Sequence, residues 1–376
     1  MVVPASTSPS KTGPSALIHG DERVTEIALV FSDHPHTNQH AATLRLLDEV
    51  RAVHVCTIEG AAAAPIVSAL GAKAHVASLD VAFANPAVDA LLVCARNDLT
   101  PPILRRAVEA GKPVLFEKPG TIRAAELREI AQVARQKRIT LGTVLPWRYH
   151  PVSKELRQLI QDGAFGHLFA VEARMVTSQV RYRNPEHWLF NPKTGGGILS
   201  WLGIHWLDLL HFLLGQRVIR VTALASSLNP EKVKVEDTAT LAFEYEHGTL
   251  GSLHAGYLLP GSQSGYRAAS YDNYLALRGY DGWATWPVTT TPHSYTLFST
   301  TPSHVTQAQE QRSFELPPSE AYAGAHGLAF VRAFLEAGRA HQPAPCPIED
   351  LVHSLDVIEA ALTAAASGQT QVVPSS

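Results

Sequence analysis

The sequence predicts an α/β protein, with a doubly wound parallel sheet in its N-terminal part and, after it, an α+β domain with a large open, mostly antiparallel sheet. Three observations predict this fold class. Short apolar runs alternate with helical segments from Thr25 to Leu145, as in βαβ units. From His167 onward, strand-like runs alternate apolar with polar residues, as in a sheet with one covered face. The length of 376 residues is sufficient for two domains, each with its own core.

The N-terminal part contains predicted strands that alternate with predicted helices. The strands lie at Thr25–Phe31, Ala52–Thr57, His75–Ala77, Val88–Cys94, Lys112–Glu117 and Thr140–Leu145. The helices lie at Asn38–Glu49, Pro65–Leu70, Pro101–Ala110 and Ala124–Arg138. Ligands of doubly wound sheets bind beyond the carboxyl ends of the strands. The polar residues that follow these strands are therefore the first candidates for a functional site.

The C-terminal part begins with a predicted helix and continues as a sheet. The helix lies at Pro151–Asp162, and the strands lie at His167–Val176, Asp237–Glu246, Thr249–Tyr257 and Tyr271–Leu277. The pair His247-Gly248 predicts a hairpin turn between two of these strands. Gly261–Gly265 and Thr289–Ser303 have the composition of loops. Two helices at His326–Ala340 and Ile348–Ala366, separated by a proline-rich joint, end the chain.

Composition and charge restrict the class of protein. The net charge of −3 gives no reason to expect nucleic acid or an anionic membrane as a partner. The three cysteines are far apart in the sequence, and we expect buried, reduced thiols and a cytoplasmic location. Residues 1–22 are rich in Ser, Pro and Thr and lack an unbroken apolar segment, which predicts a disordered leader rather than a signal peptide.

The stretch from Gly195 to Gly215 is almost wholly apolar and predicts a buried helix rather than a membrane span. Trp201, His205 and Asp208 are spaced by four and three residues, so they fall on one helical stripe. Ionisable groups on a buried helix need partners or a cavity. The alternatives are a core helix with a hydrogen-bonded histidine and a helix that lines a site.

The turn after the first strand, Phe31 to His40, contains no glycine. Glycines normally allow a pyrophosphate to approach the backbone there, so a phosphate would be held by side chains and helix N–H groups. Ser32 and Thr37 are candidates, and His34 and His36 are expected to face the cofactor or to be structural. The histidine spacing also resembles that of metal ligands, but no carboxylate or cysteine completes an obvious second shell in the sequence. We therefore expect no metal.

Two further strand ends carry candidate residues. Thr57 stands where NAD-binding folds usually have an acidic residue for the adenine ribose, with Glu59 two positions later. No arginine is adjacent, so the preference between NAD and NADP stays open. Glu117-Lys118-Pro119 follows the fifth strand, and a lysine there can hydrogen-bond a substrate oxygen. The alternative is a solvated surface lysine.

The order of several motifs resembles the Gfo/Idh/MocA family of glucose–fructose oxidoreductases, inositol dehydrogenases and rhizopine-catabolism proteins. The motifs are AGKPVLFEKPG (Ala110–Gly120), LPWRYHP (Leu145–Pro151), the GGG…GIHWLDLL…LLG stretch and the closing helix IEDLVHSLDVIEAALTAAASGQ. The resemblance implies a Rossmann domain for NAD or NADP at 23–148 and a substrate-binding and oligomerisation domain at 149–376. The C-terminal helix is expected to pack back on the Rossmann domain. It also implies hydride transfer to or from a sugar, cyclitol or related polyol, and a homodimer or homotetramer through the C-terminal sheet.

The resemblance assigns roles to residues that match the family's motifs. Lys118 matches the lysine that contacts substrate and nicotinamide ribose, and His205 matches the histidine that exchanges a proton with the substrate. Asn97 matches an asparagine near the cofactor, and Glu117 belongs to the same cofactor-side motif as Lys118. The residues expected to contact substrate are Arg148, Tyr149, Trp188, Trp201, His205 and Asp208.

Two departures from the family pattern leave other functions open. Many members have an aspartate four residues before the catalytic histidine, where this chain has Trp201, and the phosphate turn lacks glycine. Tryptophan can stack on a sugar ring but cannot act as a base. One alternative is a redox-neutral lyase or hydrolase that uses a tightly bound NAD. Another is a non-catalytic sugar- or protein-binding relative that has lost the cofactor.

Overall fold

Six parallel strands form the N-terminal sheet in the order β3-β2-β1-β4-β5-β6. The strands, from β1 to β6, are Thr25–Phe31, Val50–Thr57, Ala74–Val76, Val88–Cys94, Val114–Phe116 and Leu141–Thr143. The helices, from α1 to α5, are Thr37–Leu46, Ala64–Leu70, Leu79–Ala84, Thr100–Glu109 and Ala124–Gln136. The structure is a computed structural model that describes residues 25–177, 180, 184–259, 271–288, 292–301 and 308–375. The expected leader at 1–22 and the expected loop at Gly261–Gly265 lie outside the described residues.

The prediction for the N-terminal sheet is confirmed, with most boundaries within three residues. β1 and β4 have the predicted bounds, because both are continuous apolar runs of the kind that a sheet buried on both faces requires. Helix α3 was not predicted. It is a six-residue helix whose N-cap Ser78 accepts a hydrogen bond from the Val81 N–H.

The C-terminal sheet has nine strands in the order β14-β13-β12-β11-β7-β10-β9-β8-β15, and most of its neighbouring pairs are antiparallel. Its strands, from β7 to β15, are Leu168–Val176, Val218–Ser226, Thr238–Tyr245, Leu250–Gly256, Asp272–Gly279, Gly282–Trp286, His293–Ser299, Gln309–Phe314 and Gln371–Val372. The predicted hairpin joins β9 to β10. Helices α6 (Pro151–Gln161), α7 (Ile204–Leu214) and α9 (Ile348–Ser367) pack against strands of this sheet.

The prediction of a loop over Thr289–Ser303 is wrong, because β13 occupies its centre. The run is rich in Thr, Ser and Pro, which favours loops, but Tyr295, Leu297 and Ser299 alternate as buried residues on one face. The sequence also does not predict β8, β12, β14 or the two-residue strand β15. Their inward residues are fewer or smaller than those of β9, so their period-two pattern is weaker.

Helix α9 and helix α8 (Gly324–Arg339) contact the N-terminal domain. In α9, Asp356 accepts two hydrogen bonds of 2.7 Å from Arg128 of α5. The Glu359 carboxylate accepts the Ala124 N–H at the start of α5. The two domains are therefore joined by helices as well as by the chain between them.

One helical segment of the described residues, Pro192–Leu214, is long and apolar enough to cross a membrane by length and composition. In the structure 78% of its most apolar window is buried inside the protein. The segment is thus a core helix of this fold, as the sequence predicted.

Candidate functional site

The polar residues predicted from the strand ends meet helix α7 in a buried seam between the two domains. Glu117 and Lys118 follow β5, Asn97 follows β4, and His205 lies in the first turn of α7. All four side chains are at most 1% exposed. The topology therefore buries, in one place, groups that are up to about a hundred residues apart in the chain.

Lys118 is held against the start of the helical stretch that leads into α7. Its Nζ donates a hydrogen bond of 2.6 Å to the Trp201 carbonyl and lies 3.5 Å from the centroid of the Trp201 ring. Trp201 belongs to a π-helical turn, Leu199–Gly203, and such turns are frequent at functional sites. A cation over an aromatic face in a desolvated place is attracted by the ring quadrupole. The surface-lysine alternative for Lys118 is excluded by its burial.

His205 is neutral in this environment. Burial lowers the pKa of His205 well below its usual value, and the positive charge of Lys118 lowers it further. A neutral imidazole can accept a proton from a hydroxyl group, which is the requirement for a general base. The catalytic role of His205 stays a prediction, beside the alternative of a histidine that only belongs to a core helix.

The glycines before the helix allow protein groups, rather than a ligand, to approach the backbone. Gly197 has φ +129°, and a Cβ atom there would lie 2.3 Å from the Glu236 carboxylate. That carboxylate accepts the Leu199 N–H at the start of the π-helical turn. Gly195 has φ +74°, and its carbonyl accepts a hydrogen bond of 3.1 Å from the Asn97 amide. Within the described residues the Asn97 Oδ1 has no hydrogen-bond partner, so it is available to a ligand.

The glycine-free turn between β1 and α1 is covered by tryptophans from the other domain. Trp188 donates from Nε1 to the Asp33 carbonyl at 2.9 Å, and its ring lies 5.6 Å from that of His34. The Trp201 ring lies 5.6 Å from His34 and 5.1 Å from His36. The tryptophans and histidines predicted for substrate and cofactor thus line one seam.

The two hydroxyl groups of this turn bond to the backbone. Ser32 accepts the Arg96 N–H at 2.9 Å, and Thr37 donates to the His34 carbonyl at 2.9 Å. Through these hydrogen bonds, both hydroxyl groups hold the backbone of the turn in place. Their contact with a phosphate stays a prediction.

Glu117 is the centre of a hydrogen-bonded group that the sequence did not indicate. Its Oε1 lies 2.9 Å from His36 Nδ1 and 2.6 Å from His40 Nε2. Burial opposes ionisation of Glu117, but the His36 and His40 rings beside it hold its pKa well below its usual value. Burial lowers the pKa of His36 to about 4, so a neutral imidazole faces an ionised carboxylate. His40 and Cys94, which lies 3.2 Å from His34 Nδ1, were not among the predicted site residues.

The residues predicted to bind the ribose lie at the carboxyl end of β2 and just after it. Thr57 ends β2 and is exposed, and Glu59 is 51% exposed at its side chain. Arg96 lies 3.6 Å from Glu59, although no arginine is adjacent to these residues in the sequence. A guanidinium can bind a 2′-phosphate, so both NAD and NADP stay compatible with this end of the site.

Three of the residues predicted to contact substrate, Arg148, Tyr149 and Asp208, contact other side chains of the protein. Arg148 and Asp208 form a buried ion pair with an Nε–Oδ2 distance of 3.0 Å, and Arg148 also pairs with Asp350 at 2.8 Å. Tyr149 packs edge-on against Phe330. The charges of Arg148 and Asp208 are satisfied within the protein, and contact of these three residues with substrate stays a prediction.

The residues present fit a dinucleotide. Exposed Thr57 and Glu59 suit the ribose end, and the unpartnered Asn97 oxygen suits an amide or hydroxyl donor at the other end. Between them, α1 begins without an acidic residue in its first turn, and its N-cap His36 makes no side-chain cap within the described residues. The N–H groups of such a helix start favour a diphosphate even without glycines.

Two family models match the chain. The model described as "Oxidoreductase family, NAD-binding Rossmann fold" matches residues 30–143. The model described as "GFO/IDH/MocA C-terminal domain" matches residues 153–285. The two matches cover strands β2 to β11 and helix α7, and they end before β13, β14, β15 and the helices α8 and α9.

Two curated relatives and a solved structure are similar to this chain in sequence or in fold. The chain is 26% identical over 300 residues to 1,5-anhydro-D-fructose reductase of Ensifer adhaerens, covering 80% of this chain and 84% of the relative. It is 27% identical over 242 residues to inositol 2-dehydrogenase of Rhizobium meliloti (strain 1021), covering 64% of this chain and 67% of the relative. The fold resembles that of a levoglucosan dehydrogenase in complex with NADH and levoglucosan, with a TM-score of 0.79 at 16% identity over 93% of this chain and 100% of that one.

Proposed function

Because the chain belongs to the Gfo/Idh/MocA family of NAD-binding oxidoreductases, we propose that it transfers hydride between NAD or NADP and a sugar, cyclitol or related polyol. The observation that carries the proposal is the buried pair of Lys118 and His205. A cationic donor and a neutral base, both buried in one seam, are what proton exchange at a substrate oxygen requires. The names of the curated relatives support a small carbohydrate-like substrate.

A nicotinamide dinucleotide held at this seam would supply the hydride acceptor or donor. In the oxidative direction, His205 accepts the proton of the substrate hydroxyl as the hydride leaves its carbon. Lys118 donates a hydrogen bond to the same oxygen and stabilises the negative charge that develops there. In the reductive direction, the imidazolium formed at His205 returns its proton to the oxygen. The proposed roles are general base for His205 and electrostatic stabilisation for Lys118.

A panel of sugars and cyclitols, each incubated with NAD and with NADP, tests this proposal through the absorbance of the reduced nicotinamide. We expect turnover with at least one polyol, and a loss of about 10²- to 10⁴-fold in kcat for His205→Gln. Retention of wild-type turnover in His205→Gln would overturn the assignment of the base. Cofactor that stays bound through turnover without net reduction would instead favour the redox-neutral alternative.

We further propose that the outward face of the nine-stranded sheet joins copies of this chain into a dimer or tetramer. Leu224 of β8 and Leu250 of β10 lie on this face and are 79% and 59% exposed. Exposed leucines on a broad sheet face are typical of a surface that another subunit covers. Light scattering of Leu224→Lys/Leu250→Lys should give the mass of a single chain.

We also propose a cytoplasmic location, since all three cysteines are free and buried.

A further inference from the structure

We propose that Glu117, His34 and His36 bind a divalent transition-metal ion of the zinc class beneath the β1–α1 turn. One nitrogen of each imidazole and one oxygen of the carboxylate lie within 4.8 Å of one another. All three residues are buried, with exposed fractions of 5%, 7% and 1% for His34, His36 and Glu117. The three residues lie beneath the turn and helix start proposed for the dinucleotide and include residues expected to face it. The test measures metal content alone and needs no nucleotide.

The distance between the His36 and Glu117 donor atoms is close to what a tetrahedral ion needs, and the other donor pairs lie within 4.8 Å. Zinc binds imidazole nitrogen and carboxylate oxygen at about 2.0 to 2.2 Å, which places two ligands roughly 3.3 Å apart. His36 Nδ1 and Glu117 Oε1 are 2.9 Å apart in the structure. A shift of a few tenths of an ångström, taken up by side-chain rotation, replaces this hydrogen bond by two bonds to an ion.

Unpartnered atoms at the same place indicate that hydrogen bonds alone do not satisfy the group. Within the described residues, His34 Nε2 and Glu117 Oε2 are buried and have no hydrogen-bond partner. Buried polar atoms without a partner are rare and call for an explanation such as an ion. The expectation of no metal rested on the lack of a carboxylate or cysteine near the histidines in the sequence. Glu117, which is distant in sequence, supplies that carboxylate.

The surroundings orient and protect the three ligands. His40 Nε2, on α1, lies 2.6 Å from Glu117 Oε1 and fixes the carboxylate, as groups around metal ligands commonly do. The Trp201 ring covers His34 and His36 from the seam. The imidazoles are uncharged, as metal ligands must be, because burial lowers the pKa of His34 well below its usual value and that of His36 to about 4.

The donor set selects the class of ion. Two imidazoles and one carboxylate favour zinc and its neighbours over Mg²⁺ and Ca²⁺, which prefer oxygen ligands alone. His40, Cys94 and Glu117 form a second group whose donor atoms also lie within 4.8 Å of one another. The pair of His34 and His36 is favoured over it because the Cys94 sulfur already accepts the Thr37 hydroxyl at 3.5 Å, whereas His34 Nε2 has no hydrogen-bond partner within the described residues.

Metal content of the full-length protein tests the proposal. The protein is stripped with a chelator, incubated with Zn²⁺ or Co²⁺, freed of excess metal, and analysed by elemental mass spectrometry. We expect one ion per chain and a visible Co²⁺ spectrum typical of tetrahedral coordination. His36→Ala and Glu117→Gln should each lower affinity by at least about 10-fold. The matched control is His54→Ala, because His54 also pairs with a carboxylate, that of Glu26 at 2.9 Å.

Three results would overturn the proposal. Wild-type protein that retains less than about a tenth of an equivalent of either ion has no such site. Equal binding in Glu117→Gln and wild type excludes Glu117 as a ligand. Loss of binding in Cys94→Ser with full binding in His34→Ala assigns the ion to the second group of residues. The cobalt spectrum needs only the wild-type chain: a tetrahedral spectrum without a thiolate charge-transfer band supports the proposed ligands, and a thiolate band assigns the ion to the group with Cys94.

Discussion

Lys118 is the residue on which the proposed chemistry depends most, because its ammonium group is buried between a carbonyl and an aromatic face. Lys118→Met keeps the length and apolar volume of the side chain and removes the charge. We expect kcat to fall by about 10²- to 10⁴-fold while the melting temperature stays within a few degrees.

A matched control exists for this substitution. Lys154 also lies over an aromatic ring, at 4.1 Å from the centroid of Tyr149, but it is exposed and lies outside the seam. Lys154→Met should leave kcat unchanged. Steady-state kinetics on both variants, with circular dichroism as a check on folding, decide between a catalytic and a structural lysine. Similar losses in both would contradict the role given to Lys118.

Arg148 and Asp208 illustrate a residue-scale interaction that we assign to stability. Arg148→Met leaves the buried Asp208 carboxylate without its main cation, so unfolding free energy should fall by about 3 to 5 kcal/mol. The exposed pair Arg135–Glu349 is the control, and Arg135→Met should cost at most about 1 kcal/mol. Urea unfolding of the two variants measures the difference. A destabilisation of equal size in both would contradict a buried structural pair.

At the scale of elements, the start of the π-helical turn depends on a close approach of side chain to backbone. Gly197→Ala places a methyl group against the Glu236 carboxylate and strains a positive φ, so we expect a loss of about 2 to 4 kcal/mol. Gly248→Ala also strains a positive φ, of +82°, but meets no atom within 4 Å, and about 1 kcal/mol is expected. Thermal or urea unfolding measures both, and equal losses would remove the role of Glu236.

Elements with a strong periodic pattern were predictable, and contacts between distant elements were not. β1 and β4 are continuous apolar runs, and β9 alternates strictly, so each had a local signal. β13 had the same alternation but a loop-like composition that concealed it. Lys118 and His205 could be singled out from motif order. The contacts of Glu117 with His36 and His40 join residues about eighty positions apart, and no local pattern encodes them.

At the scale of the whole molecule, buried histidines make the fold sensitive to acid. Burial lowers the pKa of His150 to about 2 and those of His326 and His353 to about 3, with neighbouring positive groups adding to the effect. Unfolded chains protonate histidine near 6.5, so below that pH the unfolded state binds more protons than the folded state. Stability is therefore retained above about pH 6.5 and lost as pH falls, by about 1.4 kcal/mol per pH unit for each histidine.

Melting temperatures between about pH 7 and about pH 5 check this prediction. His326→Phe removes one of the three groups and should make the fall in stability less steep. The control His75→Phe replaces an exposed histidine and should leave the slope as in the wild type. A slope that His326→Phe does not change would show that protonation of His326 does not destabilise the fold.

The central claim is that the seam between the two domains works with a nicotinamide dinucleotide although the β1–α1 turn lacks glycine. Calorimetric titration of the wild-type chain with NAD, NADH, NADP and NADPH tests it most directly. We expect at least one of the four to bind with one site per chain, and the signal to be retained in His205→Gln. If none of the four binds to folded protein, the oxidoreductase assignment is contradicted, and a cofactor-free binding protein becomes the better account.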